Sequence, residues 1–261
     1  MRFFKTLYLK IGIHTAAPGT LLFAIHHRLY ALYCTIAKPA GMRSMPRETI
    51  EAARHLEDIL HRSDPKVRID LLRSDSLGGE PARLFDDRLE EGFWGKFVRP
   101  GPVVDVGYKG AGSTPVFRDA IGLDLDTPGY DGKHMPFPDG SIGSIHASHV
   151  LEHISDYGFF LRECFRVLAE RGTLMIFVPL MDVYERRATP PSAWNDDHKR
   201  FYTASRLLFE IESTVPRPLY RVIHVRERFR FSDLSMPVDI HADGPYEIEC
   251  VLEKLEPDRV Y

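Results

Sequence analysis

Residues 103–112 read VVDVGYKGAG. Four residues rich in valine run straight into glycine, which is the pattern of a short buried strand ending in a turn. The same pattern recurs downstream in Ala120-Ile121-Gly122-Leu123-Asp124, in Ser144-Ile145-His146-Ala147-Ser148, and in Thr173-Leu174-Met175-Ile176-Phe177-Val178. Between the last two, Ile154, Tyr157, Leu161, Cys164, Phe165 and Leu168 follow a three-or-four step and predict a helix. Thr203 is placed to cap a helix through Leu207, Leu208 and Ile211. Arg221–Val225 and Tyr246–Leu252 read as two further strands, antiparallel at one edge. Strands alternating with helices give an α/β fold, a doubly wound and mainly parallel sheet.

Upstream, the text differs. Ile50, Ala53, Leu56 and Leu60 recur at helical spacing over Arg47–Arg62. Residues 63–100 mix charge with Gly78-Gly79 and carry Phe93 and Trp94, two aromatics that look exposed. We expect residues 1–100 to form a helical N-terminal extension and residues 101–261 the functional domain. Residues 1–49 hold seven Lys/Arg against Glu48 alone, so this head carries +6 within a chain of net charge −3. A basic, aromatic-rich head suits a peripheral membrane surface or a glycan-assembly partner, against the plainer reading of a helix packed on the protein's own body. The acidic remainder argues against nucleic-acid binding. Leu21 to Ala37 is the most apolar stretch, but His26-His27-Arg28 interrupts it, so no bilayer span is expected. Cys34, Cys164 and Cys250 form no CxxC pair and fit reduced thiols in a cytoplasmic protein.

In doubly wound sheets, ligands sit beyond the carboxyl ends of the strands. Gly107 there lets the backbone approach a ligand closely. Asp124 ends the second strand, where a carboxylate can accept hydrogen bonds from both hydroxyls of a ribose. The glycine order is not the G-x-G-x-x-G of nicotinamide enzymes, which sets that class aside.

The series VVDVG, IGLDLD, HMPFPDGS, SIHASHVLEHI and LRECFRVLAERGTLMIFVP resembles the class I S-adenosylmethionine-dependent methyltransferases of the small-molecule O-methyltransferase type. The WNDDHKRFYT segment is similar to members associated with bacterial polysaccharide assembly. The resemblance covers about residues 100–255 and implies a Rossmann-like methyltransferase fold with S-adenosylmethionine as cofactor. It implies that Asp105, Gly107, Tyr108 and Gly110 support the methionine end, and that Asp124, with Leu125 beside it, holds the ribose. Asp131 would approach the adenine, and Ser148 and His149 would border the sulfonium. The family turn reads D-x-G-x-G-x-G, whereas Lys109 takes its second glycine position here and Ala111 its third. The lysine side chain must therefore point away or contact the carboxylate. The usual helix and third strand after Asp126 are shortened.

Methyl transfer to oxygen needs an aligned acceptor losing its proton. His149, Glu152 and His153 stand at i, i+3, i+4, on one face if the segment is helical, and His198 lies in the DDHKRF loop. The histidines are candidates for a metal-free general base, and Glu152, His153 and His198, with His149, for a divalent metal ion. Glu152 anchoring backbone is the structural alternative. The pattern resembles the E-x-x-E-H metal site of small-RNA 2′-O-methyltransferases and ubiquinone-pathway O-methyltransferases, with His149 replacing the first glutamate. Tyr184, Trp194, Asn195, Arg200 and Tyr202 lie on segments expected to roof an acceptor pocket for a sugar or glycan hydroxyl. The competing expectation is a weakly active or inactive methyltransferase-like module that serves as an interaction protein.

Overall fold

A computed structural model of the chain describes residues 71–110, 114–184, 189–229 and 245–256. The chain divides into two units, Met1–Asp64 and Pro65–Tyr261, and all described residues belong to the second. The basic head and the helix read over Arg47–Arg62 lie outside the described residues.

The strands are β1 (Val103–Val106), β2 (Ile121–Leu123), β3 (Ile142–Ser148), β4 (Leu168–Pro179), β5 (Tyr220–Phe229) and β6 (Tyr246–Lys254). They form a six-stranded sheet in the order β2-β1-β3-β4-β6-β5. The pairs among β1 to β4 are parallel, and β6 runs antiparallel to both β4 and β5. The carboxyl ends of β1 to β4 and the start of β6 therefore share one edge. β1 and β3 are buried at every position, as strands covered on both faces must be.

The helices are α1 (Gly79–Glu90), α2 (Phe93–Phe97), α3 (Tyr157–Val167), α4 (Met181–Tyr184) and α5 (Ala204–Thr214). Thr203 caps α5 as expected, its hydroxyl accepting from Arg206 N at 3.2 Å. α3 begins at Tyr157 rather than near Ile154, because Asp156 caps it, accepting from Phe159 N at 2.9 Å. α3 and α5 turn Leu161, Cys164, Leu207 and Ile211 inward.

The other face of the sheet belongs to α1 and α2. Phe85, Phe93, Trp94 and Phe97 pack in one core with Val103, Met175, Phe177 and Val251. Trp94 is 1% exposed and donates from Nε1 to Phe85 O at 3.2 Å. Phe93 and Trp94 are thus core residues, not surface aromatics, and burying each contributes about 1.5–3 kcal/mol. These helices belong to the same compact unit as the sheet, Pro65–Tyr261. Spacing alone did not reveal a short amphipathic pair of helices whose aromatic side covers a sheet face.

No helix or strand interrupts residues 124–141 between β2 and β3. That loop is strapped to α3 instead. Glu163 Oε1 accepts from Met135 N at 2.8 Å, and Arg166 donates to Phe137 O and Met135 O at 2.9 and 3.0 Å.

Candidate functional site

The turn after β1 is built on contact with its neighbours. Gly107 has φ +72°, and a Cβ there would stand 2.5 Å from Val150 Cγ2. Only glycine fits that backbone and that space. Tyr108–Gly110 forms a 3-10 turn. The Tyr108 ring lies over Gly122 of β2, where a Cβ would come within 2.5 Å of it. Asp124 receives Lys109 N at 3.0 Å on Oδ2 and Leu125 N at 2.7 Å on Oδ1. The Lys109 ammonium pairs with Asp126. Leu125 is 77% exposed, and Gly132 lies against it.

Two expected contact residues are occupied within the protein. Asp105 is buried, accepting from Val116 N at 2.6 Å and meeting His146 Nδ1 at 2.7 Å. Its carboxylate ties β1 to the backbone at Val116 and to His146 of β3. Asp131 accepts from Lys133 N at 2.9 Å and His134 N at 2.6 Å, and its Oδ2 meets His134 Nδ1 at 2.9 Å. The His134 hydrogen bonds hold its pKa well below the usual carboxylate range. Asp131 therefore fixes its own loop rather than presenting a free carboxylate.

At the end of β3 the Ser148 hydroxyl is buried and has no hydrogen-bond partner among the described residues. His149 follows at φ +55°, a backbone conformation uncommon for a residue with a side chain. Its N–H donates to Phe177 O at 2.9 Å. Leu151–His153 is a 3-10 turn, not the helical face expected for His149, Glu152 and His153. The kink redirects His149, whose Nε2 meets Glu247 Oε1 of β6 at 3.0 Å, while its Nδ1 is 3.5 Å from Glu152 Oε1. Glu247 is in turn paired with the buried Arg88 of α1.

Glu152, His153 and His198 do converge, with one ligand atom from each lying within 4.8 Å of the others. The His153 and His198 rings are 4.7 Å apart at 78°. His153 Nδ1 meets Asp197 Oδ2 at 3.1 Å, which turns its Nε2 toward Glu152 at 3.9 Å. The loop reaches back because Lys199 N donates to Glu152 O at 2.8 Å, and Arg200 donates to Leu151 O and Ser155 O at 2.8 and 3.0 Å. His149 instead belongs to a second set with Glu80 and Glu247.

Burial and charge set the protonation of these groups. Burial opposes charge on His149, but Glu247 and Glu152 outweigh it and its pKa is raised. Burial raises Glu152 against the pull of His149 and His153. Burial, with repulsion from His153 and His149, lowers His198 to about 4. Burial would raise Glu247, yet Arg88 and His149 bring it down to about 2.

On the expected acceptor side, Arg200 is the clamp just described, and Tyr202 is buried with its hydroxyl on Glu210 at 2.8 Å. Both serve packing. Asn195 Oδ1 accepts from Asp197 N at 3.1 Å and shapes the loop. Tyr184 stacks on His198 at 5.5 Å, and Trp194 is 46% exposed. Sequence reasoning missed Arg88 and Glu247. The available signal for the last was the charge at alternate positions of an otherwise apolar strand, Glu247, Glu249 and Glu253.

Residues 118–176 match the family model described as a methyltransferase domain. The glycine turn precedes that segment. A protein of Mycolicibacterium smegmatis described as a probable S-adenosylmethionine-dependent methyltransferase is 30% identical over 122 residues, covering 38% of this chain and 47% of that protein. The chain thus spans about half the length of the curated relative it matches. Among solved structures, a SAM-dependent methyltransferase from Aquifex aeolicus is 17% identical with a TM-score of 0.39, over 66% of this chain and 97% of its own. One from Archaeoglobus fulgidus is 16% identical with a TM-score of 0.40, over 67% and 92%.

Proposed function

We propose that this chain is an S-adenosylmethionine-dependent methyltransferase that methylates a hydroxyl of a sugar, glycan or related small molecule. The observation that carries the reading is the shared carboxyl edge of β1, β2 and β3, where Gly107, Asp124 and Ser148 stand on adjacent strands. The family match over residues 118–176 supports it. The cofactor's methionine end lies along Gly107 to Gly110, and its ribose hydroxyls donate to Asp124. Each Asp124 oxygen accepts one backbone N–H and keeps a lone pair for a ribose hydroxyl. Leu125 offers an apolar contact to the adenine. Ser148 borders the sulfonium, and Glu152, His153 and His198 stand on the acceptor side, where the hydroxyl loses its proton. Asp105 supports the turn, Asp131 fixes the loop beside Leu125, and the basic head holds the protein at an anionic membrane or a glycan-assembly partner.

The reading of an inactive module draws on one observation, that backbone N–H groups already engage both oxygens of Asp124. Incubation with methyl-labelled S-adenosylmethionine and a panel of glycans and nucleotide sugars separates the two. The proposal expects label in an acid-stable ether on a sugar oxygen. Cofactor bound but label transferred to no acceptor, or only to nitrogen, contradicts it.

A further inference from the structure

We propose that Arg99, Arg171 and Arg221, gathered around Glu253, form an anion site for a phosphate monoester group at the end of the sheet opposite Gly107 and Asp124. The inference stands apart from the methyl-transfer reading and uses none of its residues.

The topology brings these side chains together. The start of β6 shares an edge with the carboxyl ends of β1 to β4, so the end of β6 lies at the other ends of those strands. Glu253 of β6 stands in register between Thr173 of β4 and Arg221 of β5. Arg171 comes from the start of β4, and Arg99 lies just ahead of β1. Arg99 is fixed by its N–H, which donates to Ser144 Oγ at 2.8 Å, and by its guanidinium, which donates to Lys96 O at 3.1 Å.

The charges at this point do not balance. Glu253 is 1% exposed, and its Oε2 pairs with Arg221. Its Oε1 has Arg171 at 3.0 Å and Arg99 at 3.8 Å. Neither is a directed hydrogen bond, and Oε1 has no hydrogen-bond partner among the described residues. One carboxylate therefore faces three guanidiniums, where a single well-aligned one would satisfy it. The three side chains are 31%, 53% and 54% exposed, which leaves their unspent N–H donors open to solvent. Arg171 also stands at φ +64°, a conformation rare for a residue with a side chain. Gly172 follows it in a tight turn, where a Cβ would come within 2.8 Å of Ala169 O. On backbone grounds alone the left-handed position suits glycine. An arginine held there points to a use for its guanidinium.

The excess of positive charge selects the ligand. A phosphate monoester carries nearly two negative charges near neutral pH and so matches it, whereas a carboxylate or phosphodiester carries one. Guanidinium forks also pair bidentately with phosphate oxygens. Glu253 gathers the three arginines before a ligand arrives, so less ordering remains for binding.

The test is calorimetric titration of the full chain at low ionic strength and about pH 7.5, where phosphate is mostly a dianion. The ligands are inorganic phosphate, methyl phosphate and dimethyl phosphate. The first two should bind, and dimethyl phosphate roughly 10-fold more weakly. Arg171→Gly, which suits the backbone, and Arg221→Gln should each weaken phosphate binding roughly 10-fold, and the double variant further. Arg118→Gln, which removes an exposed arginine paired with Asp75 instead, should change nothing. Circular dichroism melts identify which variants are folded. Flotation with phosphatidic-acid vesicles names the source of the phosphate. Vesicle binding lost in the double variant assigns a lipid headgroup, and unchanged vesicle binding a free phosphate compound. No phosphate binding by the wild type at millimolar concentration overturns the site, as does binding undiminished in the folded double variant or dimethyl phosphate binding as tightly as methyl phosphate. S-adenosylmethionine affinity should be the same in the variants as in the wild type, so either reading can fail without the other.

Discussion

A methyl group added at Gly107 would meet Val150 Cγ2 at 2.5 Å, on a backbone already at φ +72°. Gly107→Ala is therefore expected to cost about 1–3 kcal/mol in denaturant unfolding, from strain and crowding together. Cofactor affinity should fall as well, because the displaced turn carries Lys109 N, which is bonded to Asp124. Asp124→Ala should spare the fold, since its carboxylate lies at a partly exposed strand end. It should weaken S-adenosylmethionine binding by roughly 1.5–3 kcal/mol for each charged hydrogen bond removed. Equal affinity in the variant would place the ribose elsewhere. Gly107 and Asp124 were legible because their chemistry is local, a left-handed turn and a strand-end carboxylate. Asp105 and Asp131 were legible in position but not in partner. Their acceptor capacity goes to Val116, His146 and His134, pairings that only the folded chain brings about.

At the scale of elements, β6 and α1 are joined through charge. Arg88 is fully buried, bonded to Glu249 at 2.9 Å and paired with Glu247, with its guanidinium 3.9 Å from the Phe177 ring centre. Glu247→Gln would leave Arg88 and His149 short of a counter-charge, a loss of about 3–5 kcal/mol near neutral pH. The folded-state pKa of Glu247 is about 2, below its ordinary 4.5. Its contribution is therefore full above pH 4.5 and disappears as pH falls from there toward 2. Unfolding curves of wild type and Glu247→Gln should converge across that window, by an amount on the order of 3 kcal/mol. A constant difference from pH 7 to pH 2 would show that the pair is not what stabilises this contact. Thr203→Ala, a simple loss of the α5 cap, should cost about 1 kcal/mol with little pH dependence. The strands and the helices α3 and α5 followed from periodicity, including the antiparallel β5–β6 pair. The 3-10 turn at Leu151–His153 did not, because three residues are too few for any period to register.

For the molecule as a whole, the sheet and its carboxyl edge were readable from six strand-like runs and their order. The cover formed by α1 and α2 was not, since nothing local ties Phe93 or Trp94 to Phe177 far along the chain. The charge asymmetry of residues 1–49 makes a separate claim. Deleting them should release the protein from anionic vesicles while cofactor binding survives, and retention on vesicles would remove the anchor. The account as a whole stands on S-adenosylmethionine lying across Gly107 and Asp124. Calorimetry of the purified full chain with S-adenosylmethionine, and separately with its demethylated product, tests this most directly. One-to-one binding of both, weakened by Asp124→Ala, is the predicted result; no heat of binding for either at millimolar concentration would contradict it.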